Sequence, residues 1–177
     1  MVCIDYYFDS VMEKVTGQSV TVWMLLATFA GVATYILYRR GKMNAATAIM
    51  IPILVFFLSF VLTITIIERV PRKKVRYNLE LFWTISSVLS GKTYLLWEIF
   101  WNVVLFIPIG FMMSVLVRPR PWLAIVIGMV GSAAIEVTQL LTRRGLFELD
   151  DIIYNSVGAA IGFLLYLLLK RFERRSE

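Results

Sequence analysis

Long uncharged runs alternate with short charged intervals along this chain, and the lengths of the runs decide what they form. Residues 19–38 hold 20 residues without a charge and end at Arg39, Arg40 and Lys42; residues 45–67 hold 23 more. Each matches the ~20 residues a helix needs to cross a hydrocarbon core about 30 Å thick. Pro52 lies inside the second run, where a lipid-embedded helix tolerates it if neighbours satisfy the freed carbonyl.

A polar interval follows, with Glu68, Arg69, Arg72, Lys73, Lys74 and Arg76, and then residues 79–90, apolar but too short to span. Phe82, Ile85 and Leu89 share a helical face there, and Trp83 suits the headgroup level, which predicts an interfacial or re-entrant helix. Three further spans are expected at residues 97–117, 122–142 and 152–169. They are interrupted by Glu98 and Asn102, by Ser132, Glu136 and Gln139, and by Asn155. The connection RPRP at residues 118–121 is short and stiff, so the third and fourth spans form an antiparallel hairpin. The pattern predicts an all-α polytopic membrane helical bundle: one domain of about five transmembrane helices plus one interfacial or re-entrant helix.

Residues 1–18 carry Asp5, Asp9 and Glu13 and lack a positive beginning, so they do not read as a cleavable signal and the first run inserts uncleaved. Ile4, Phe8, Val11 and Val15 give this segment one apolar face, fitting either an amphipathic helix on the membrane or a loosely ordered tail.

Composition agrees with the pattern. The chain is 59% hydrophobic with a mean hydropathy of +0.77, above the roughly 45–50% apolar content of soluble domains. The net charge of +6 comes from basic residues between the apolar runs and in the tail at residues 170–177, favouring anionic lipid headgroups over nucleic acid. No histidine is present, which excludes imidazole bases and His-ligated metals, and the lone Cys3 can form neither an internal disulfide nor a thiolate cluster. No cofactor is expected. Positive charge divides nine to nine between the two membrane sides, so it sets no orientation by itself. The acidic amino-terminal segment and the acid-rich loop at residues 143–151 would share one side, which favours the N-terminus outside and the C-terminus in the cytoplasm, with residues 170–177 as a basic cytoplasmic tail.

With five crossings, one membrane side collects the loop after the second span, the start of the third, the end of the fourth and the start of the fifth. Ser132, Glu136, Gln139 and Arg143 project from one helical face, and Asp151, Asn155, Gly158 and Gly162 repeat that spacing. Glu136 sits about two turns inside the boundary, roughly 9–10 Å at 1.5 Å per residue, so it must face the bundle and find partners. Arg76, Arg143, Arg144, Asn102 and Asn155 are the candidates. Gly158 with Gly162, and Gly128 with Ser132, are small-xxx-small pairs that let helices approach and wall a narrow polar cleft. Pro108 and Gly110 lie deeper on the third span, where Pro108 either shapes the cleft or simply kinks the helix. The cleft suits a polar guest, an anionic headgroup held by Arg76 with Arg143 or Arg144 in fork geometry. The same residues would equally form a self-satisfied network joining three helices.

Four blocks of residues 76–166 resemble the VanZ-like family of small bacterial membrane proteins. They are Arg76-Tyr77-Asn78-Leu79 with Phe82; residues 102–111 (NVVLFIPIGF), with Asn102, Pro108 and Gly110; residues 132–139 (SAAIEVTQ); and Arg144 followed by Asp150-Asp151 through Asn155 to Gly158. Leu81 stands where the family often has proline, and Glu148 where aspartate is frequent. The resemblance implies a bacterial plasma-membrane protein whose motif face is extracytoplasmic, with a link to resistance against glycopeptides such as teicoplanin. Residues 19–67 carry none of these motifs.

Three functions fit. The first is a non-catalytic membrane protein whose outward cleft binds an anionic envelope lipid headgroup or lipid-linked cell-wall precursor, through Arg76, Asn78, Asn102, Ser132, Glu136, Gln139, Arg143, Arg144, Asp150, Asp151 and Asn155, and so alters the action of a glycopeptide. The second is an enzyme on a phospho- or glycolipid with Glu136 and Asp151 as acid and base. Metal binding by Glu136, Glu148, Asp150 and Asp151 is weighed there and not adopted, since the spacing is no known metal motif. The third is a structural or assembly protein. Expected partners are membrane lipids, a lipid-linked precursor or glycopeptide, and no nucleic acid; self-association is left open.

Overall fold

The computed structural model describes residues 15–176, so the amino-terminal amphipathic segment expected at residues 1–18 lies largely outside the described residues. The elements are α1 (Gly17–Arg39), α2 (Ala45–Leu62) continued by a π-helical turn (Thr63–Ile67), β1 (Tyr77–Asn78), α3 (Trp83–Leu89), α4 (Leu95–Leu116), α5 (Leu123–Thr142), β2 (Phe147–Glu148) and α6 (Leu149–Ser176). Among the described residues five helices, α1, α2 with its π turn, α4, α5 and α6, are long and apolar enough to cross a membrane. The chain is a multi-pass helical membrane protein.

Local chemistry sets the ends. Thr16 and Asn44 cap α1 and α2 by accepting the backbone N–H of Ser19 and Thr47. Arg143, with φ of +58°, ends α5 in a left-handed residue that turns the chain back toward the bundle. Pro108 lies inside α4, which continues through it. α3 turns Thr84 inward while Phe82, Ile85 and Leu89 stay exposed, as an interfacial helix requires.

Lipid tails are as apolar as leucine, so helices in a bilayer associate through close packing and interhelical hydrogen bonds. The most extensive contact is α4 against α6 rather than against its sequence neighbour α5. It depends on glycine: a Cβ on Gly158 would strike the carbonyl of Val103, one on Gly162 that of Ile107, and one on Gly110 the backbone of Ala159. The amino-terminal pair is joined differently. Trp23 meets Phe56 and Phe60 edge-on and donates its indole N–H to Thr63 Oγ1 at 3.0 Å, while Thr34 Oγ1 donates to the Ala48 carbonyl at 3.0 Å. Val61, Phe106 and Ile109 form the buried core between α2 and α4.

Candidate functional site: a polar knot at one end of the bundle

Two parallel backbone pairs, Tyr77 with Phe147 and Asn78 with Glu148, tie the loop after α2 to the loop after α5. The tie continues on either side, since Phe147 N–H donates to the Arg76 carbonyl at 3.1 Å and Arg72 N–H to the Arg143 carbonyl at 2.8 Å. These bonds bring to one end of the bundle polar residues that are 60 to 80 positions apart in the chain.

Beneath the tie, α5 and α6 face each other as a ladder of polar rungs spaced one helical turn apart. Asn155 Nδ2 donates to Ser132 Oγ at 2.7 Å. One turn above Ser132, Glu136 Oε2 accepts the backbone N–H of Glu148 at 2.9 Å. One turn above Asn155, Asp151 Oδ1 accepts from Asn102 Nδ2 of α4 at 2.6 Å. Ser132, Glu136, Gln139 and Asn155 are all buried, as their shared faces predict.

Asp150 is fully buried and does not join the ladder. Its two oxygens accept the backbone N–H groups of Phe82 at 2.6 Å and Thr84 at 3.0 Å. It therefore caps α3 from another helix, a substitute for the capping side chain that Phe82 at the N-cap position does not supply. Phe82 holds φ of +61°, a left-handed conformation costing a non-glycine residue ~1–2 kcal/mol, and the Asp150 carboxylate fixes it there.

The π turn has its own clamp. Gln139 Nε2 donates to the Thr65 carbonyl at 3.1 Å, and the Arg144 guanidinium donates to the carbonyls of Ile66 and Ile67. Gly145 sits against the Gln139 amide, where a Cβ would strike its oxygen. The last carbonyls of a helix need outside donors, and here α5 and the loop after it supply them.

Several expected partnerships are rearranged. Glu136 pairs with a backbone N–H rather than with Arg76, Arg143 or Arg144. The Arg76 side chain is exposed and takes part through its carbonyl; Arg143 leaves the α5 face because the helix ends at that residue. Arg144 is committed to backbone carbonyls, which takes it out of a fork with Arg76, while the Arg76 and Arg143 side chains are exposed. Asn78 accepts the Glu80 N–H at 3.0 Å in a local turn beside the tie. Gly110, Gly158 and Gly162 lie along the α4–α6 contact below the knot, and Pro108 lies inside α4 at the same depth.

Two charged residues outside the candidate set take part. Arg69 is half-buried, and its charge is felt at both Glu136 and Asp151. Glu98 adds negative field at Asp151 and Glu148. The spacing of Glu98 to Asn102, one turn on the same helix, was the available signal; for Arg69 there was only its place in a crowded basic loop. Burial pushes the Glu148 carboxyl up to about 7, with Asp151 and Glu98 adding to the rise and the Trp83 indole partly offsetting it. Among the described residues, no three acidic side chains gather closely enough to hold a metal ion.

An apolar groove begins beside the knot. It lies between α2, α4 and α5, encloses about 290 Å³, and runs from Leu54, Ile127 and Met113 up to Ile66 and Thr138. Leu58, Leu62 and Ile127 on its walls are more than one-third exposed, so it opens sideways, toward the hydrocarbon of a membrane.

A family model described as VanZ/LLP1 matches residues 45–170. The match begins at α2, earlier than the motif blocks from residue 76, so the helix that carries the π turn is part of the family unit. No curated protein and no solved structure matches the chain.

Proposed function

This chain belongs to the VanZ/LLP1 family, and from that premise we propose that it is an envelope-lipid binder: one acyl chain lies in the groove between α2 and α5, and the phosphate-bearing headgroup lies at the polar knot on the extracytoplasmic side. The observation that carries the reading is where the groove ends. Its upper wall is Ile66, and within six residues the chain passes Arg69 and reaches Arg72, whose amide is bonded to the Arg143 carbonyl at the end of α5. An apolar slot that faces lipid and ends a few residues below a basic loop has the two halves of a lipid site, one for hydrocarbon and one for phosphate. The headgroup cations in this reading are Arg72 and Arg143, with Arg72 in place of the Arg76 expected to pair with Arg143 or Arg144. A protein that sequesters envelope lipid or a lipid-linked cell-wall precursor in this way changes the surface a glycopeptide such as teicoplanin must engage.

Gly131 supplies the test. It lines the groove, and a Cβ there meets nothing within 4 Å, so Gly131→Leu fills the slot without disturbing a helix contact. The purified wild-type protein should retain phospholipid through detergent exchange, detected by native mass spectrometry, and Gly131→Leu should lose it at unchanged thermal stability. In cells, the same variant at equal abundance should abolish any effect of the protein on glycopeptide susceptibility. Retention of lipid by Gly131→Leu at wild-type occupancy would refute the groove as the acyl site.

A second reading, catalysis on a lipid, draws support from one feature: Glu136 and Asp151 face each other across α5 and α6, each with one oxygen engaged by a neutral donor. Incubation of the purified protein with phospho- and glycolipids, followed by mass spectrometry of the lipid fraction, tests it. Unaltered lipid is the result that removes it.

A further inference from the structure

Among the described residues four buried polar side-chain atoms lack a partner: Trp83 Nε1, Trp101 Nε1, the Tyr154 hydroxyl and the acceptor Asn155 Oδ1. Glu136 receives one N–H on Oε2 and Asp151 one on Oδ1, and among the described residues neither second oxygen accepts a hydrogen bond from the protein. Asn155 spends its amide N–H on Ser132, leaving its own Oδ1 buried without a partner; the residue is 6% exposed. That oxygen stands on the same face as Asp151, one turn lower, opposite the turn that carries Ser132 and one turn below Glu136. A buried unpaired amide oxygen is rare in a native protein and calls for a donor. Glu98 and Glu148 add negative field around these groups. Against them stands Arg69, which acts through space and, among the described residues, donates no hydrogen bond to either carboxylate.

Among the described residues no three acidic side chains gather closely enough to hold a metal ion. A primary ammonium answers the demand for a donor, with three N–H groups and one positive charge and no fixed coordination geometry. Its charge opposes the local excess, and its three N–H groups match three oxygens: the second oxygens of Glu136 and Asp151, and Asn155 Oδ1. Arg72 and Arg143, the phosphate side of the site, lie at the end of α5 two turns above Glu136. The two subsites thus lie about 10 Å apart along the α5 backbone, a gap that arginine side chains extended toward Glu136 would shorten to the reach of a zwitterionic headgroup.

We propose that Glu136, Asp151 and Asn155 bind the primary ammonium of an aminophospholipid headgroup whose phosphate rests on Arg72 and Arg143. The proposal rests on the lipid-binding reading above and narrows it: the lipid is zwitterionic and carries an N–H₃ group, so it is neither a purely anionic lipid nor a quaternary amine.

The experiment compares phosphatidylethanolamine, phosphatidylcholine and phosphatidylglycerol of identical acyl composition in competition for the purified full chain, with bound lipid quantified by native mass spectrometry. Phosphatidylcholine keeps the charge but has no N–H, and phosphatidylglycerol has no amine. The expected result is a preference for phosphatidylethanolamine of about tenfold or more over both, as the loss of charge-assisted hydrogen bonds predicts. Glu136→Gln retains an acceptor for the Glu148 N–H, and Asp151→Asn retains one for Asn102; each should reduce the preference to near parity. The wild-type comparison alone decides the matter if either variant fails to fold. Equal occupancy by all three lipids, with Gly131→Leu lowering each, overturns the ammonium site and leaves the lipid-binding reading standing. A preference for phosphatidylglycerol overturns it likewise. Retention of no lipid overturns both. Competition by free phosphoethanolamine at concentrations equal to the lipid would show a soluble ligand, and would overturn the assignment to a lipid.

Discussion

Asp150→Asn tests whether α3 is held in place by a side chain more than 60 residues away. The substitution preserves shape but turns one carboxylate oxygen into an NH₂ donor. Both oxygens of Asp150 accept from backbone N–H groups, at 2.6 and 3.0 Å, so either amide orientation sets a donor against a donor. One charge-assisted hydrogen bond is lost, a term of ~1.5–3 kcal/mol, and one buried N–H is left unsatisfied, a further ~1–3 kcal/mol. The two overlap, and α3 can relieve both by unwinding, which also frees Phe82 from its left-handed backbone at a gain of ~1–2 kcal/mol. The expected net loss is therefore about 3 kcal/mol and mainly local. Hydrogen exchange followed by mass spectrometry on peptides covering residues 80–91 reads it directly: amide exchange there should accelerate by about 100-fold, while protection within α4 and α6 stays near wild type. Asp150→Ala should do the same. Unchanged protection at Phe82 and Thr84 in both variants would refute the capping role.

Glu148 has a carboxyl near 7 when folded and near 4.5 when exposed. The folded state therefore holds the proton more tightly, and its contribution to stability is fully present below pH 4.5 and lost as the pH rises through 7. The difference integrates to at most ~3 kcal/mol. Glu148→Gln should flatten the pH dependence of thermal unfolding between pH 5 and 8 and leave the variant more stable than wild type at the upper end; an unchanged profile would show that Glu148 is not the titrating group. Gly162→Ala places a Cβ against the Ile107 carbonyl and the Phe111 amide and should cost ~1–3 kcal/mol or more in detergent unfolding. The comparison is Gly131→Ala, where the space is open and helix propensity predicts a gain of ~0.5–1 kcal/mol. Equal effects of the two would mean that the α4–α6 approach is not what glycine permits.

Much of this arrangement was legible because the bilayer imposes simple lengths. The five crossings could be counted from apolar runs of spanning length, and the burial of Ser132, Glu136, Gln139 and Asn155 followed from their spacing along helices that must hide polar atoms. The partners were less accessible. Periodicity places Asp150 near the site, but says nothing of two backbone N–H groups offered by a seven-residue helix, and a backbone partner leaves no trace in residue type. The same reason explains Glu136, which looked to be owed a guanidinium and is given the amide of Glu148. Arg144 was expected at a ligand and is bound to the carbonyls of a π turn, an irregularity that an uninterrupted run such as residues 63–67 conceals. The groove was illegible because it is a space between helices and depends on how α2 and α5 splay.

The pairing of Tyr77 and Asn78 with Phe147 and Glu148, together with the cap from Asp150, bears on biosynthesis. The segment between α2 and α4 emerges from the ribosome long before α6, and until α6 arrives it has neither its strand partner nor its cap. α2, α4 and α5 can insert in turn, but the site closes in one late event, when the start of α6 enters the bilayer. A chain interrupted before residue 147 would thus hold four crossings and no finished pocket, with the amides of Phe82 and Thr84 left to detergent, lipid or the membrane's own quality control.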